Sequence, residues 1–264
     1  MKGKLHKMRT EQGDPINYFL ELEESVHMNA YIGKQIKLTW SGVIECIVCQ
    51  KVTKTSFGQG FCYPCFVNSP YSSPCIIHPE LCRAHLGEGR DMEWEKENHL
   101  KPQIVYLAQS DLTKVGVTSI SQIPTRWIDQ GAISAIKIAE TPNRYLAGLL
   151  EVALKAYFSD KTNWRKMLMN EIDPTIDLVN EKWKLEEFLP EDLLQYFIDD
   201  DSIETFQYPV RKYPEQIKII ALEKEGFIEG ILEGIKGQYL LFDQDRVINI
   251  RKYNGYVIEF TTLN

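Results

Sequence analysis

Four cysteines near the N-terminus occur as two closely spaced pairs with the spacing of metal ligands. Cys46-x2-Cys49 and Cys62-x2-Cys65 are separated by 12 residues, and glycines suited to tight turns lie between them. Zinc prefers four soft ligands in a tetrahedron, and two such pairs can supply these ligands from two adjacent turns. Because the protein would fill all four positions around the metal, the pattern predicts a closed, structural zinc site.

A second set of cysteines and histidines follows directly. Cys75, Cys82 and His85 are predicted to supply three ligands, and either His78 or His99 supplies the fourth. A proline comes directly after His78 and restricts its reach, whereas His99 lies just before the next strand and could tie the metal site to that strand. We therefore prefer His99. Two thiols and two imidazoles again predict a closed site, so we expect two structural zinc ions per chain.

The positions of the cysteines also indicate a cellular compartment. All six lie between residues 46 and 82 of a 264-residue chain, whereas disulfide frameworks are typical of short secreted chains. The N-terminal sequence MKGKLHKMRTEQGDP is polar and has no apolar signal-peptide core, and no run of about 18 apolar residues could cross a membrane. We therefore expect a cytoplasmic protein that does not enter a membrane and whose cysteines bind metal.

Four residues in the middle of the chain carry groups that phosphate chemistry could use. In chain order they are Tyr106 in the apolar segment QIVYLA, Lys114 in KVGVTS, Arg126 in a short predicted helix and Glu151 in a long amphipathic helix. Taken singly, each has an ordinary structural explanation. Tyr106 can be a core aromatic, and Lys114 and Arg126 can be solvated cations. Glu151 can be one half of an ion pair with Lys155 on the helix surface, and such a pair is worth about 0.2–0.5 kcal/mol. Only the order of the four residues on these elements points to a shared function.

The order of these residues resembles that of the GIY-YIG nuclease superfamily. Val105-Tyr106-Leu107 is similar to the first motif of the superfamily and Lys114-Val115-Gly116 to the second, and Arg126 and Glu151 follow where a helical arginine and a late glutamate are expected. The resemblance covers about residues 103–170 and implies a small three-stranded antiparallel sheet with flanking helices. The whole chain also resembles a bacterial family of uncharacterised proteins that join a cysteine-rich N-terminal part to such a segment.

The resemblance implies a role for each of the four residues. In the superfamily the tyrosine of the first motif helps to activate a water, which implies this role for Tyr106. The helical arginine holds the phosphate, which implies Arg126, and the late glutamate binds one divalent metal, which implies Glu151. Magnesium is the expected ion, because one carboxylate with waters and substrate oxygens is its usual site. In the second motif, Lys114 stands where the superfamily usually has a tyrosine. A lysine there could contact phosphate or lower the pKa of a nearby tyrosine.

The elements that must position these groups follow from the periodicity of the apolar residues. Segments 16–48 and 206–264 predict short strands, and segment 49–100 is rich in loops. QIVYLA, KVGVTS and ISAIKIAET predict three strands, the first two of which form a hairpin. NRYLAGLLEVALKAYF predicts the strongest helix of the chain, with Asn143 as its N-cap and an apolar stripe along one side.

We therefore predict an α+β fold in four parts. These are β strands with a zinc-binding module (1–100), a GIY-YIG-like core (101–170), an acidic helical segment (171–205) and C-terminal antiparallel β strands (206–264). The strands in 16–45 and those in 206–264 are each too few for an independent sheet. We expect them to pack into one β-barrel-like unit that brings the termini together.

Charge and composition limit the classes of function. Hydrophobic residues make up 44% and charged residues 25% of the chain, which excludes a disordered or fibrous protein. The net charge of −7 is uneven, since residues 171–204 hold 12 acidic and 2 basic residues, whereas residues 101–170 hold 9 basic and 5 acidic residues. The field that a ligand meets is local, so an acidic total does not exclude DNA or RNA.

Three functional hypotheses follow from the sequence. The first is a zinc-containing, GIY-YIG-like nucleic-acid-processing protein that acts as a divalent-metal-dependent endonuclease. The second is a protein of the same fold that binds nucleic acid without cleaving it. The third is an interaction module whose acidic helices contact a basic protein partner.

Overall fold

The computed structural model describes residues 1–158 and 163–263 and has a mixed α+β fold. Residues 159–162, which fall in the predicted GIY-YIG-like part, and residue 264 lie outside the described residues. In chain order the strands are β1 (Lys2–Lys4), β2 (Arg9–Glu11), β3 (Asn17–Glu21), β4 (Ser25–His27), β5 (Gln35–Glu45), β6 (Val52–Thr53), β7 (Gln103–Gln109), β8 (Thr113–Ser119), β9 (Ser134–Thr141), β10 (Ile203–Thr205), β11 (Lys218–Ile219), β12 (Phe227–Lys236), β13 (Tyr239–Phe242), β14 (Arg246–Asn249) and β15 (Tyr256–Thr262). The helices are α1 (Tyr63–Asn68), α2 (Met92–Asn98), α3 (Thr125–Asp129), α4 (Arg144–Lys155), α5 (Trp164–Met169), α6 (Leu178–Glu186) and α7 (Leu222–Glu225).

These helices are short. The longest, α4, contains 12 residues, whereas a helix needs about 20 predominantly apolar residues to cross the hydrocarbon core of a bilayer. Within residues 1–158 and 163–263, no helix therefore has the length and apolar character of a membrane span.

The largest sheet joins strands from both ends of the chain. Its strand order is β1-β15-β5-β12-β13-β14-β11, and β6 also pairs with β5. β5 is antiparallel to both β12 and β15, and the amino group of Met1 donates to the carbonyl oxygen of Phe260 at 2.9 Å. The predicted union of N-terminal and C-terminal strands is therefore present. β1 and β11 end the order without pairing with each other, so across the described ranges this sheet is open rather than barrel-like.

A second sheet carries the middle of the chain. Its order is β10-β9-β7-β8, and all neighbouring strands are antiparallel. β7, β8 and β9 match the three predicted strands, but β10 adds a fourth strand beside β9. β10 has no clear strand pattern in the sequence, because it has only three residues, all of them exposed, and follows an acidic run. A separate three-stranded sheet contains β2, β3 and β4.

The two faces of the second sheet pack against different parts of the molecule. Because side chains alternate along a strand, Ile104, Tyr106 and Ala108 share one face of β7, and Val105 and Leu107 share the other. The first face packs into a core that it shares with the largest sheet, whereas the second face packs against α4 and α6. Tyr106 therefore faces the largest sheet, and α4 covers the opposite face.

Helix α4 forms as its sequence predicts. Asn143 precedes the helix in an extended conformation, and its side-chain oxygen accepts a hydrogen bond from the backbone nitrogen of Leu146 at 3.1 Å. This bond satisfies one of the free donors at the start of the helix. Ala147, Leu150 and Leu154 recur at helical spacing and are fully buried. The buried stripe anchors α4 on the second sheet.

The acidic segment is anchored to the same face as α4. Helix α6 and the following 3-10 turn, Glu191–Tyr196, bury Leu185 and Leu193 in the core that α4 forms with the sheet. The amine of Lys182 is buried and donates to the carbonyl oxygen of Asp200 at 2.7 Å. The segment therefore supplies part of the core that supports the second sheet.

Candidate metal centres and phosphate site

The four cysteines of the first group meet in one place. The sulfur atoms of Cys46, Cys49, Cys62 and Cys65 all lie within 4.8 Å of one another, and those of Cys49 and Cys62 are 3.7 Å apart. Four thiolates about 2.3 Å from a tetrahedral zinc ion would be about 3.8 Å apart. The group could therefore hold a metal ion, and its sulfur donors suit zinc.

Two turns bring these cysteines together. In the first turn, directly after β5, Cys46 donates to the carbonyl oxygen of Lys51 at 2.9 Å and accepts from the backbone nitrogen of Gln50 at 3.0 Å. The second turn passes through Gly60, whose φ is +124° and at which a Cβ would lie 2.8 Å from the side chain of Ile47. Both the backbone conformation and the close approach of the two turns therefore require glycine at this position.

Cys75, Cys82 and His99 form the second group. The Nδ1 atom of His99 lies 3.9 Å from the sulfur of Cys75 and 3.7 Å from that of Cys82, and all three residues are buried. A thiolate and an imidazole nitrogen on a tetrahedral zinc ion would be about 3.6 Å apart. The neighbouring Cys75 thiol, aided by His99, lowers the pKa of Cys82 to about 4. The group could therefore hold a metal ion with three of its ligands in place.

The other two histidines considered for this group lie outside it. His85, which the sequence analysis expected as a ligand, is exposed, and its ring stacks on Tyr145 with the ring centroids 4.3 Å apart. The His78 side chain is 61% exposed, and its Nδ1 atom lies 3.3 Å from the carboxylate of Glu80. His99 lies at the C-terminal end of α2, and this position brings it to the two thiols. The structure therefore groups His99, and not His78, with Cys75 and Cys82, as predicted.

A carboxylate that the sequence analysis did not foresee lies beside His99. Glu95 comes four residues earlier on the same side of α2, and its Oε2 atom contacts Nδ1 of His99. Glu95 is only 2% exposed, and burial raises the pKa of its carboxyl group. The signal in the sequence was the spacing of Glu95 and His99 in EKENH, which places both on one helical face. The carboxylate therefore contacts the same nitrogen that faces both thiols.

The loops of the second group are fixed to helix α4. Arg144, at the start of α4, donates from Nε to the carbonyl oxygen of Cys75 and from Nη2 to that of Ile76, both at 2.9 Å. Gly148 lies one turn further on, and a Cβ there would be 2.1 Å from the backbone nitrogen of Glu80. The second cysteine group and α4 are therefore packed backbone to backbone.

Tyr106 lies directly opposite Gly116 across the β7–β8 pair. A Cβ at Gly116 would be 2.6 Å from the Tyr106 hydroxyl oxygen, so glycine is needed to leave room for the ring. Tyr106 is fully buried, and this burial raises its pKa although the nearby charge of Arg126 opposes the shift. The amide of Gln130 lies between the two, 2.9 Å from the Tyr106 hydroxyl and 3.2 Å from Nη2 of Arg126, so Arg126 donates to the amide oxygen and the amide nitrogen donates to Tyr106.

Lys114 lies on the same face of the second sheet as Tyr106. It pairs with Ala108 across β7 and β8, two residues along from the pair of Tyr106 and Gly116. Burial, together with the charge of Arg126, lowers the pKa of Lys114 to about 8. The amine of Lys114 is therefore charged at neutral pH and loses its proton only slightly above it.

Glu151 lies on α4, which covers the opposite face of the second sheet, and it is 7% exposed. Its Oε1 atom lies 3.4 Å from the amine of Lys155, whereas Oε2 is buried and has no hydrogen-bond partner among the described residues. Burial raises the pKa of Glu151, and its negative charge adds to the rise in the pKa of Tyr106. Tyr106 and Arg126 are thus linked through Gln130, and the charge of Arg126 also acts on Lys114. Glu151 acts on Tyr106 from the α4 side of the sheet.

Positive charge is concentrated around Arg126. Burial lowers the pKa values of Arg144 and Arg251, and the charge of Arg126 lowers both further. In the part of the chain that the structure describes, no carboxylate lies within 4.0 Å of the side-chain nitrogens of Lys114, Arg126 or Arg251. No sequence pattern points to Arg251, because only the packing of the two large sheets brings it near Arg126.

One protein family matches most of the chain. The family model described as "Protein of unknown function (DUF2797)" matches residues 33–258, a range that includes both cysteine groups and the cations around Arg126. No curated protein and no solved structure matches the chain.

Proposed function

This chain belongs to the DUF2797 family, and we propose that it is a nucleic-acid-binding protein with a GIY-YIG-like core and two structural zinc sites. The observation that carries the proposal is the group of cations around Arg126. Lys114 and Arg251 lie near this guanidinium. Asp111 and Asp129 act on Lys114 and Arg251 only from a distance, since among the residues described no carboxylate lies within 4.0 Å of the side-chain nitrogens of the three cations. Half-buried like charges repel one another, and an anion bound between them removes that cost.

The pairing of Tyr106 with Gly116 supports the GIY-YIG-like core. These residues come from the two segments that resemble the two motifs of the superfamily, and they face each other across β7 and β8. The ring of Tyr106 fills the space that a side chain at Gly116 would need. Tyr106 itself has no exposed surface, so it acts as a positioning residue that orients Arg126 through Gln130.

Phosphate is the anion that this group of cations suits best. Arg126 has a planar guanidinium that can form two parallel hydrogen bonds to a phosphate, and Lys114 adds a compact charge on the same side. A nucleic acid presents a row of such groups, which matches several cations better than a single carboxylate does. Residues 101–170 also contain more basic than acidic residues, whereas the whole chain has a net charge of −7.

A binding assay with Arg126→Gln tests this function. The zinc-loaded chain should bind a labelled 20-nucleotide DNA or RNA at low salt, and Arg126→Gln should weaken binding roughly tenfold because one phosphate contact is lost. Lys224→Gln, an exposed change on α7, is the matched control that removes one positive charge away from the group and should bind as the wild type does. If the wild type shows no affinity for either nucleic acid at low salt, this function is excluded.

A second candidate function is cleavage of the bound phosphodiester, and Glu151 favours it. The buried Oε2 atom of Glu151 has no partner among the described residues, and a buried carboxylate oxygen without a hydrogen bond is suited to a cation. Glu151 would hold a magnesium ion, which would neutralise charge on the phosphate. Arg126 would hold a phosphate oxygen, and Lys114, which is charged at neutral pH, would neutralise part of the charge that develops on the phosphate.

Magnesium dependence separates the two functions. If Glu151 holds magnesium, the wild type should cleave a labelled oligonucleotide only when the metal is present, and Glu151→Gln should not cleave. Glu151→Gln should still bind without metal at least as tightly as the wild type, since a negative charge near the phosphate has been removed. Binding by the wild type with no cleavage in magnesium or manganese would leave nucleic-acid binding as the whole function.

Both cysteine groups are proposed to hold structural zinc. The first group supplies four thiolates. In the second group, Cys75, Cys82 and His99 leave one tetrahedral position, and Glu95 is the residue that we assign to it in place of His85. Its carboxylate is buried against the histidine nitrogen that faces both thiols, where an ionised carboxylate is stable only with a cation beside it.

A further inference from the structure

A cleft with a volume of about 1140 Å³ lies between the two cysteine groups. Its walls come from the loops that hold the cysteines, with Ile47, Val48 and Phe61 beside the first group and Pro74 and Ile76 beside the second. Small-molecule pockets usually enclose roughly 300–1,000 Å³, so the cleft has room for an extended ligand. Its position makes it dependent on both metal sites.

The charged side chains in the cleft all have the same sign. Lys7, Arg90 and Arg251 line it together with His6, and among the described lining residues there is no carboxylate. Burial and the charge of Lys4 lower the pKa of His6, so His6 is neutral at pH 7. Lys7 is paired with the buried carboxylate of Asp129 at 2.7 Å. Arg90 and Arg251 have no carboxylate within 4.0 Å among the described residues, so these two cations attract an anionic ligand to the concave surface.

The cleft also exposes aromatic and aliphatic surface. Tyr71 is 57% exposed, Phe66 is 36% exposed and Ile77 is 77% exposed, although each lines the cleft rather than an outer helix face. Grouped apolar side chains that remain exposed in a concave site commonly mark a binding surface. The ligand should therefore carry flat apolar groups as well as negative charge.

Arg251 connects the cleft to the cations around Arg126. It lines the cleft, and the charge of Arg126 contributes to lowering its pKa. An anionic group bound at Arg251 would therefore also feel the positive charge of Arg126. The guanidinium of Arg90, which also lines the cleft, is fixed in position because its Nη1 atom donates to the carbonyl oxygen of Ser69 at 2.8 Å.

We propose that this cleft binds a single-stranded segment of nucleic acid, with unpaired bases against Phe66 and Tyr71 and phosphates at Arg90 and Arg251. The proposal rests on the nucleic-acid-binding function proposed above and names its substrate class. Single strands are bound by the combination found here, a cationic groove with aromatic side chains on which bases stack. A duplex keeps its bases stacked inside and would leave the aromatic side chains unused.

Fluorescence anisotropy with the zinc-loaded full chain tests the cleft directly. The probes are a labelled 20-nucleotide poly(dT), a duplex of the same length and a labelled poly-glutamate peptide, all at low salt. Poly(dT) should bind more tightly than the duplex. Tyr71→Ala and Phe66→Ala should each weaken poly(dT) binding roughly tenfold and leave duplex binding unchanged. Arg251→Gln should weaken both and reduce the salt dependence by about one phosphate contact.

Two control variants accompany this test, and two results would overturn the cleft proposal. Tyr71→Phe keeps the ring and should bind as the wild type does, and Tyr157→Ala removes an exposed aromatic side chain that does not line the cleft. Zinc content and the melting temperature of each variant must match those of the wild type. Equal binding of poly(dT) and duplex, unaffected by Tyr71→Ala, would overturn the cleft proposal while nucleic-acid binding stands. Binding of poly-glutamate alone, lost in Tyr71→Ala, would assign the cleft to an acidic protein segment and exclude both proposals.

Discussion

The two cysteine groups differ in the elements that supply their ligands and in the parts of the molecule that their loops contact. The first is formed by two short turns within twenty residues, and it lies at the end of β5 with loops that line the cleft. The second collects Cys75 and Cys82 from 3-10 turns and His99 from the end of α2. Its loops contact α4 through Arg144 and Gly148.

This difference implies two different roles for metal. The zinc ion that we propose for the first group would organise loops beside the cleft, so its loss should act mainly on ligand binding. The second site supports the helix that carries Glu151, so its loss should disturb the core and the cations around Arg126. Structural zinc contributes folding free energy directly, because the site does not exist in the unfolded chain.

The largest expected effect comes from removing a ligand of the second site. Cys82→Ser should release one zinc ion and lower the melting temperature by roughly 10 °C or more, since losing the metal costs several kcal/mol and each kcal/mol is worth about 2–4 °C in a chain of this size. Cys46→Ser should also release one zinc ion but lower the melting temperature less. Metal analysis and thermal denaturation measure both quantities. Equal melting temperatures for the two variants would show that the two sites contribute equally to stability, contrary to this account.

The identity of the fourth ligand gives the next largest effect. Glu95→Gln should weaken zinc binding at the second site roughly 10–100-fold, because the carboxylate beside His99 is lost. His85→Ala should leave the affinity unchanged, since its exposed ring stacks on Tyr145 and lies outside the group. Competition with a chelator measures both affinities. Weaker binding in His85→Ala, with normal binding in Glu95→Gln, would return the ligand role to His85.

The contact between α4 and the second site can be weakened without touching a metal ligand. A Cβ at Gly148 would meet the backbone of Glu80 at 2.1 Å. Gly148→Ala should therefore destabilise the protein by about 1–2 kcal/mol, since overpacking against backbone outweighs a gain of about 1 kcal/mol in helix propensity. Val152→Ala, an exposed change on the same helix, is the control and should change stability by less than about 0.5 kcal/mol. Chemical denaturation compares the two, and a neutral Gly148→Ala would show that the contact is loose.

The pH dependence of binding is the smallest of these effects and reports on Lys114. Burial and the charge of Arg126 lower its pKa to about 8. The amine is charged below that pH and neutral above it, so affinity for an oligonucleotide should fall as the pH rises from 7 to 9. Lys114→Met should bind more weakly at pH 7 and lose this step. An identical pH profile in the variant would exclude Lys114 from the phosphate site.

Local patterns in the sequence predicted the elements and the cysteine groups better than they predicted the contacts between distant parts. The Cys-x2-Cys spacing was sufficient for the first group, and apolar periodicity was sufficient for β7, β8, β9 and α4. His85 was placed among the ligands from spacing alone, which does not reveal that its ring stacks on Tyr145. Glu95 has a helical-spacing signal, but its burial depends on the loops that pack over α2.

Other features depend on tertiary packing, and the sequence had no signal for them. Arg251 reaches Arg126 only because the largest sheet packs on the Tyr106 face of the second sheet. That same packing buries Tyr106 completely, whereas its motif alone implied an active-site side chain. The fourth strand, β10, was too short and too exposed to be recognised before its pairing with β9 was known.

The salt dependence of oligonucleotide binding tests the central claim most directly. The zinc-loaded wild type and the triple variant Lys114→Gln, Arg126→Gln, Arg251→Gln would be titrated with the same single-stranded oligonucleotide at several salt concentrations, with Lys224→Gln as the single-charge control. Each phosphate contact contributes about 0.7 to the slope of log affinity against log salt for a single strand, so the triple variant should have a slope about 2 smaller. An unchanged slope in the triple variant would contradict a phosphate site at these three cations.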